Sequence, residues 1–331
     1  MSDGTRTKAV VADRALQRFA EVLEAEAPHV DWVYGDPGDE EGLLHALADA
    51  DVYVGARLTP EMVRAAPSLR LVQASGAGTD LIAFKALGDA TIVANVYEHE
   101  TSIAEYVLMT MLAMSRELLV TDRDLRQGRW TTPAVDNRLG LHSVLRGRTV
   151  GLIGYGHIGR AVARLAGHFG MDTMAVRRRA PDPAKQSGLT FLGGPEDLPT
   201  ILSAADFLVV VVPLSEETRG LIGEAELALM KSSAYLINVA RGPVVQQGPL
   251  YEALAARDIA GAALDVWYRP APPPEHARLP AGQPFHELDN VVMTPHNSGV
   301  TEDTFRRRAH KIAENVNKLA RGERPDNVVA G

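Results

Sequence analysis

Short apolar runs alternate with helical periods over the first hundred residues. Strands are predicted at 8–12 (KAVVA), 30–34 (VDWVY), 51–55 (DVYVG), 69–75 (LRLVQAS) and 91–96 (TIVANV), with amphipathic helices between them. That repeat favours a parallel sheet covered by helices. At Thr101 the pattern changes, and SIAEYVLMTMLAMSRELLVTDRDLRQGRW is predicted to be one long helix, apolar at its start and charged at its end. A second strand–helix series begins with GRTVGLI at 147–153 and closes with NVVMTP at 290–295. A last amphipathic helix is predicted from Thr301 to Ala320. Two successive series joined by a helix suggest two doubly wound domains, with ligand expected at the carboxyl ends of the strands.

Composition narrows the function. At 331 residues the chain exceeds the size at which one core usually keeps growing. Its 34 Lys+Arg against 42 Asp+Glu give a formal net charge of -8, which argues against nucleic acid or an anionic membrane as the main partner. There are 0 cysteines, so disulfides, thiolate metal sites and cysteine catalysis are excluded, and no metal site is expected. The first residues hold no apolar run of signal-peptide type, and no stretch approaches the ~20 apolar residues of a membrane helix. A cytoplasmic protein is the simplest expectation.

TVGLIGYGHIGRAVARLAG carries Gly154, Gly156 and Gly159 as G-x-G-x-x-G, after an apolar strand and at the opening of a helix. The first glycine permits a tight turn, the second lets backbone approach a pyrophosphate, and the third lets helix and strand pack closely. His157 and Ile158 lie inside this loop. The next strand ends with Arg177, Arg178 and Arg179 where an acid would accept from the ribose of NAD. Guanidinium groups bind phosphate in a fork, so NADP is favoured, with NAD as the alternative. Further on, AYLINVARGPVV puts Arg241 just past a buried strand, and VVMTPHNSG puts His296 after the last one. An arginine there can hold a carboxylate by two parallel bonds, and histidine is the usual proton donor or acceptor near neutrality.

These segments, with VVVVPLSEETRGLIGEAELALMKSSAYLINVARGPVV and GAALDVW, resemble the D-isomer-specific 2-hydroxyacid dehydrogenase family over roughly residues 50 to 320. The likeness is to glyoxylate and hydroxypyruvate reductases, with some features of formate dehydrogenases. It implies an α/β fold in which a Rossmann dinucleotide-binding domain at 118–297 is inserted in a flavodoxin-like substrate domain made of 1–117 plus 298–331. The resemblance implies that Arg241 binds the carboxylate and carbonyl of a 2-keto acid and that His296 is the acid/base. Asp265 would contact the nicotinamide side; Thr101, Pro213, Thr218 and Ala240 would line the cofactor. The backbone amides of Ala77 and Gly78 would hold the substrate carboxylate. The charged stretch around 118–145 resembles the family's dimer arm, which implies a homodimer.

One family feature is missing. Pro270 stands five residues after Asp265, where relatives carry a glutamate that pairs with the histidine and formate dehydrogenases carry a glutamine. Glu98, Glu100, Glu275 and Glu287 are the nearest substitutes, and His99 also falls in a segment that departs from the formate pattern. The expected activity is hydride transfer between NADP(H) and a small 2-keto acid. Oxidation without a general base, as with formate, and a low-turnover NAD(P)H sensor stay open as alternatives.

Overall fold

The computed structural model describes residues 6–178, 188–269 and 276–331. It divides into two units, one made of the described residues up to Glu98 with Val300–Gly331, the other of His99–Gly299.

In the first unit β1 (Lys8–Ala12), β2 (Asp31–Tyr34), β3 (Val52–Gly55), β4 (Leu71–Ala74) and β5 (Ile92–Ala94) run parallel in the order β5-β4-β3-β1-β2. This is the flavodoxin-like order. A C-terminal strand, Val328–Ala330, pairs antiparallel with β5. Both faces of the central strands β1, β3 and β4 are buried, so those strands read as largely apolar runs. Along β1, Ala9 and Val11 face the C-terminal helix Glu302–Ala320 with its Phe305, Ile312 and Val316, whereas Val10 faces Leu43, Leu47 and Met62. Those three belong to α3 (Glu40–Leu47) and α4 (Pro60–Ala65), which follow α1 (Arg14–Gln17) and α2 (Ala20–Glu26). Three of these four helices start where the sequence supplies caps: the Asp13, Asp39 and Thr59 side chains accept from first-turn N–H groups, and Pro60 fits the first helical turn.

The second unit opens with α5 (Glu100–Ser115) and α6 (Leu118–Arg126). Its sheet is built from β6 (Thr149–Ile153), β7 (Asp172–Val176), β8 (Phe191–Gly193), β9 (Phe207–Val210), β10 (Tyr235–Asn238), β11 (Gly261–Leu264) and β12 (Val291–Met293). The order is β12-β11-β10-β9-β6-β7-β8, parallel throughout. The strand order reverses between β6 and β9, the switch point where doubly wound sheets bind ligand. Helix α7 (His157–His168) and α5 cover one face. The other is covered by α8 (Leu198–Ala204), α9 (Glu224–Ala228) and α10 (Gln247–Ala255).

The structure differs from the expected elements at three places. The long helix after Thr101 is broken: Glu117 has φ +50°, and α6 restarts after it. Near the expected domain boundary, α5 packs on α7 and clusters with the second unit. The strands Phe191–Gly193 and Val328–Ala330 were not foreseen; three residues are too few for an alternation to register. Among the described residues no helix is long and apolar enough to cross a membrane.

Candidate active site

The glycine loop leaves β6 through a turn that needs its glycines. Gly154 has φ +106°, and a Cβ there would lie 2.8 Å from the Val211 carbonyl oxygen. At Gly159 a Cβ would lie 2.5 Å from the Gly154 carbonyl oxygen, which explains why the helix can start so close to the strand. Gly156 is different. It is exposed, with nothing within 4 Å of a Cβ placed on it, and it leads into the twelve-residue α7. Bare backbone at a helix N-terminus suits a diphosphate, so the loop fits a dinucleotide. His157 and Ile158 open α7, and His157 Nδ1 lies 3.6 Å from Glu100 Oε1 at the start of α5, next to Thr101.

Arg177 follows β7 directly, half-buried, its N–H donating to Gly193 O at 3.1 Å; Arg178 is exposed, and Arg179 lies outside the described residues. After β9, the Thr218 hydroxyl donates to Pro213 O at 2.6 Å and accepts from Ser215 N at 2.8 Å, closing the loop on that side of the switch point.

Strand register brings three polar side chains to the carboxyl end of one sheet. Asn238 of β10 pairs with Leu264 of β11, which pairs with Met293 of β12. Arg241, Asp265 and His296 follow those positions within three residues each. The Asn238 amide braces the first: its Oδ1 accepts from Ala240 N at 3.0 Å and its Nδ2 donates to Arg241 O at 3.1 Å. Gly242 has no room for a side chain against the Trp267 carbonyl. The Arg241 guanidinium is half-buried and donates to Ala240 O at 2.9 Å.

Asp265 is fully buried. Its Oδ1 accepts from the Thr294 hydroxyl at 2.6 Å and from Asn297 N at 2.7 Å, and its Oδ2 accepts from Ser298 N at 2.9 Å. The acid therefore grips both sides of His296, whose side chain is exposed and whose φ is +62°, a left-handed conformation that costs a non-glycine residue about 1–3 kcal/mol. Helix α5 braces the same turn. Ser102 donates to Ser298 O at 2.7 Å, and one helical turn later the Tyr106 hydroxyl meets Thr294 Oγ1 at 2.6 Å. Burial, with the Asp265 charge nearby, pushes the Tyr106 hydroxyl up to about 12, so it stays protonated. Trp267 Nε1 donates to Thr294 O at 2.8 Å.

In the first unit the loop after β4 presents amides by the same logic. Val96 N donates to Gly76 O at 3.3 Å, and Asn95 Nδ2 donates to Ala77 O at 3.0 Å. A trans peptide points its N–H away from its C=O. The Ala77 and Gly78 N–H groups thus face away from the Val96 and Asn95 donors.

A family model, "D-isomer specific 2-hydroxyacid dehydrogenase, NAD binding domain", matches residues 108–298. A glyoxylate reductase of Korarchaeum cryptofilum is 34% identical over 327 residues, covering 96% of this chain and 93% of the relative. The chain belongs to the D-isomer-specific 2-hydroxyacid dehydrogenase family. It is an oxidoreductase of the CH–OH class that uses a nicotinamide cofactor. A dehydrogenase of this family from Xanthobacter autotrophicus Py2, in complex with NADPH and MES, superposes with TM-score 0.78 at 29% identity, covering 98% of both chains. One from Lactobacillus delbrueckii ssp. bulgaricus, in an NAD-complexed form, superposes with TM-score 0.79 at 26% identity, covering 98% of this chain and 100% of that one.

Of the acids expected to replace the family glutamate, Glu100 sits at His157 and Glu287 lies 3.8 Å from His286 Nε2. Pro270 and Glu275 lie outside the described residues. Sequence reasoning missed the dehydrogenase's bracing set, Ser102, Tyr106, Thr294 and Asn95. Ser102 and Tyr106 stand four apart on a helix, which was a usable sign of a shared polar face.

Proposed function

We propose that this dehydrogenase reduces small 2-keto acids, such as glyoxylate or hydroxypyruvate, with NADPH, and oxidises the corresponding D-2-hydroxy acids in the reverse direction. The observation that carries the reading is the double grip of buried Asp265 on the turn bearing His296, next to the strand that bears Arg241. Such bracing has little structural purpose unless the histidine must keep one orientation.

Gly154, Gly156 and Gly159, with His157 and Ile158 at the start of α7, would hold the diphosphate. Ala240, Thr101, Pro213 and Thr218 would line the rest of the dinucleotide. When bound, the nicotinamide supplies the hydride that reduces the carbonyl carbon. The chain's residues do the rest. Ala77 and Gly78 donate N–H bonds to the substrate carboxylate. Arg241 orients the carboxylate and carbonyl and stabilises charge growing on oxygen. His296 Nε2–H delivers the proton to that oxygen, a step worth about 10²–10⁴ in rate. Asp265 keeps the histidine turn in place beside the nicotinamide.

Arg177 and Arg178, with no acid at the end of β7, support NADPH over NADH. The reading assigns substrate binding to the domain of 1–117 plus 298–331 and dinucleotide binding to 118–297. Exposed Leu118, Leu119, Leu125, Trp130 and Leu141 support a homodimer built through the arm, and the enzyme is assigned to the cytoplasm.

The test is NADPH absorbance followed against a panel of 2-keto acids. Turnover of glyoxylate or hydroxypyruvate, abolished in His296→Ala, is expected. No turnover with any member, or an active His296→Ala variant, would overturn the proposal.

A further inference from the structure

The C-terminal helix carries three consecutive arginines, and the third differs from the first two. Arg306 pairs with Glu302 at 2.9 Å and Arg307 with Asp303 at 3.4 Å, each one helical turn back on the exposed face. The residue one turn before Arg308 is Thr304, which is buried. Arg308 instead turns toward the sheet. Its Nε donates to Tyr97 O at 2.9 Å, and its guanidinium carbon lies 5.4 Å from the centre of the Phe305 ring. Its two terminal nitrogens and guanidinium carbon lie 3.6, 3.7 and 3.8 Å from a Cβ built on Gly76. Near-equal distances mean that the flat face of the cation rests on Gly76, immediately before the outward-facing amides of Ala77 and Gly78. All these residues lie in the first unit.

We propose that Arg308 is a specificity-determining residue, whose guanidinium adds a fixed positive charge to the Gly76–Gly78 loop and restricts it to a negatively charged substrate end. This rests on the assignment of Ala77 and Gly78 to the substrate carboxylate. Two neutral N–H donors alone would bind an ester or amide carbonyl almost as well as a carboxylate. A half-buried cation beside them separates the two by charge. Two acids bound this loop: Asp13, which accepts the Ser75 hydroxyl at 2.6 Å, and the exposed Asp80. The arginine offsets their field where the carboxylate must sit.

The test compares wild type with Arg308→Gln and Arg308→Lys. First, kcat/KM is measured for glyoxylate and for its methyl ester. The acid/ester preference should fall about 10–100-fold in Arg308→Gln and be largely restored in Arg308→Lys. An equal loss for acid and ester would show that Arg308 only supports the fold, and would overturn the proposal. Second, oxalate binding is measured by calorimetry, which needs no turnover. Arg308→Gln should bind oxalate about 10–100-fold more weakly. If no 2-keto acid is turned over, the proposed reaction fails, and the calorimetric comparison still decides the role of Arg308: unchanged oxalate affinity in a folded Arg308→Gln protein sinks it.

Discussion

Asp265 Oδ1 accepts the Thr294 hydroxyl at 2.6 Å, and that bond fastens the end of β11 to the turn that carries His296. Asp265→Asn would set an amide N–H₂ against a backbone N–H and leave one buried donor unsatisfied, costing about 1–3 kcal/mol. The melting temperature should fall by a few degrees, and kcat/KM should drop about 100-fold because the histidine is displaced. Thr294→Val removes one of the three bonds to Asp265 together with the Tyr106 contact, but it keeps the carboxylate on Asn297 N and Ser298 N, so it should displace the histidine less and cost less in kcat/KM. Calorimetry and steady-state kinetics on the two variants check the ranking.

The arginines after β7 give a cofactor prediction. In the wild type kcat/KM should be clearly higher with NADPH than with NADH. Replacing Arg177 and Arg178 by alanine should raise KM for NADPH about 10–100-fold and change KM for NADH less than threefold. A wild type that prefers NADH would refute the assignment.

The glycines of the loop should fail in different ways. Gly159→Ala forces a methyl to 2.5 Å from the Gly154 carbonyl, so it should lower both stability and nucleotide affinity. Gly156→Ala meets open space, so its thermal cost should be smaller while nucleotide binding is still weakened, since the added methyl occupies the approach to the diphosphate. Thermal melts combined with NADPH fluorescence titration separate the two outcomes.

Leu118 and Leu119 are 54% and 55% exposed at the head of α6. If they are covered by a second copy, the double aspartate variant should sediment as a single chain at micromolar concentration where the wild type sediments as a pair. A wild type that is already monomeric contradicts the homodimer.

Asp206 predicts the acid limb of stability. Burial pushes its carboxyl up, but the Thr149 N–H at 2.8 Å and the cations of Lys231 at 3.1 Å and Arg148 at 3.4 Å outweigh burial and hold it below the ordinary range. A depressed folded value means the contribution is present above about pH 4 and is lost as pH falls through that value. Asp206→Asn should therefore be less stable than wild type near neutrality, with the difference narrowing in acid, as measured by denaturant melts across pH.

Long, buried features were legible in the sequence, and short or conditional ones were not. The valine-rich strands of both sheets, the glycine loop and the strand-end positions of Arg241 and His296 follow from local pattern alone. The break at Glu117 was hidden because Leu118 to Arg126 keeps a helical period of its own after one left-handed residue. The bracing of His296 depends on residues that α5 and β11 bring together across 188 and 29 positions of chain, and no local signal carries that distance. Arg308 was concealed inside a run of like charges, where only the helix phase sets it apart from its two neighbours.

The turn at Glu117 has an evolutionary consequence. Because α5 ends at Ser115, the helix that braces the histidine and the helix α6 are joined by two residues, Arg116 and the left-handed Glu117, and not by a continuous rod. Substitutions in α6 can accumulate without twisting Ser102 or Tyr106 out of register. The surface of α6 and the bracing of His296 can therefore drift along separate mutational paths.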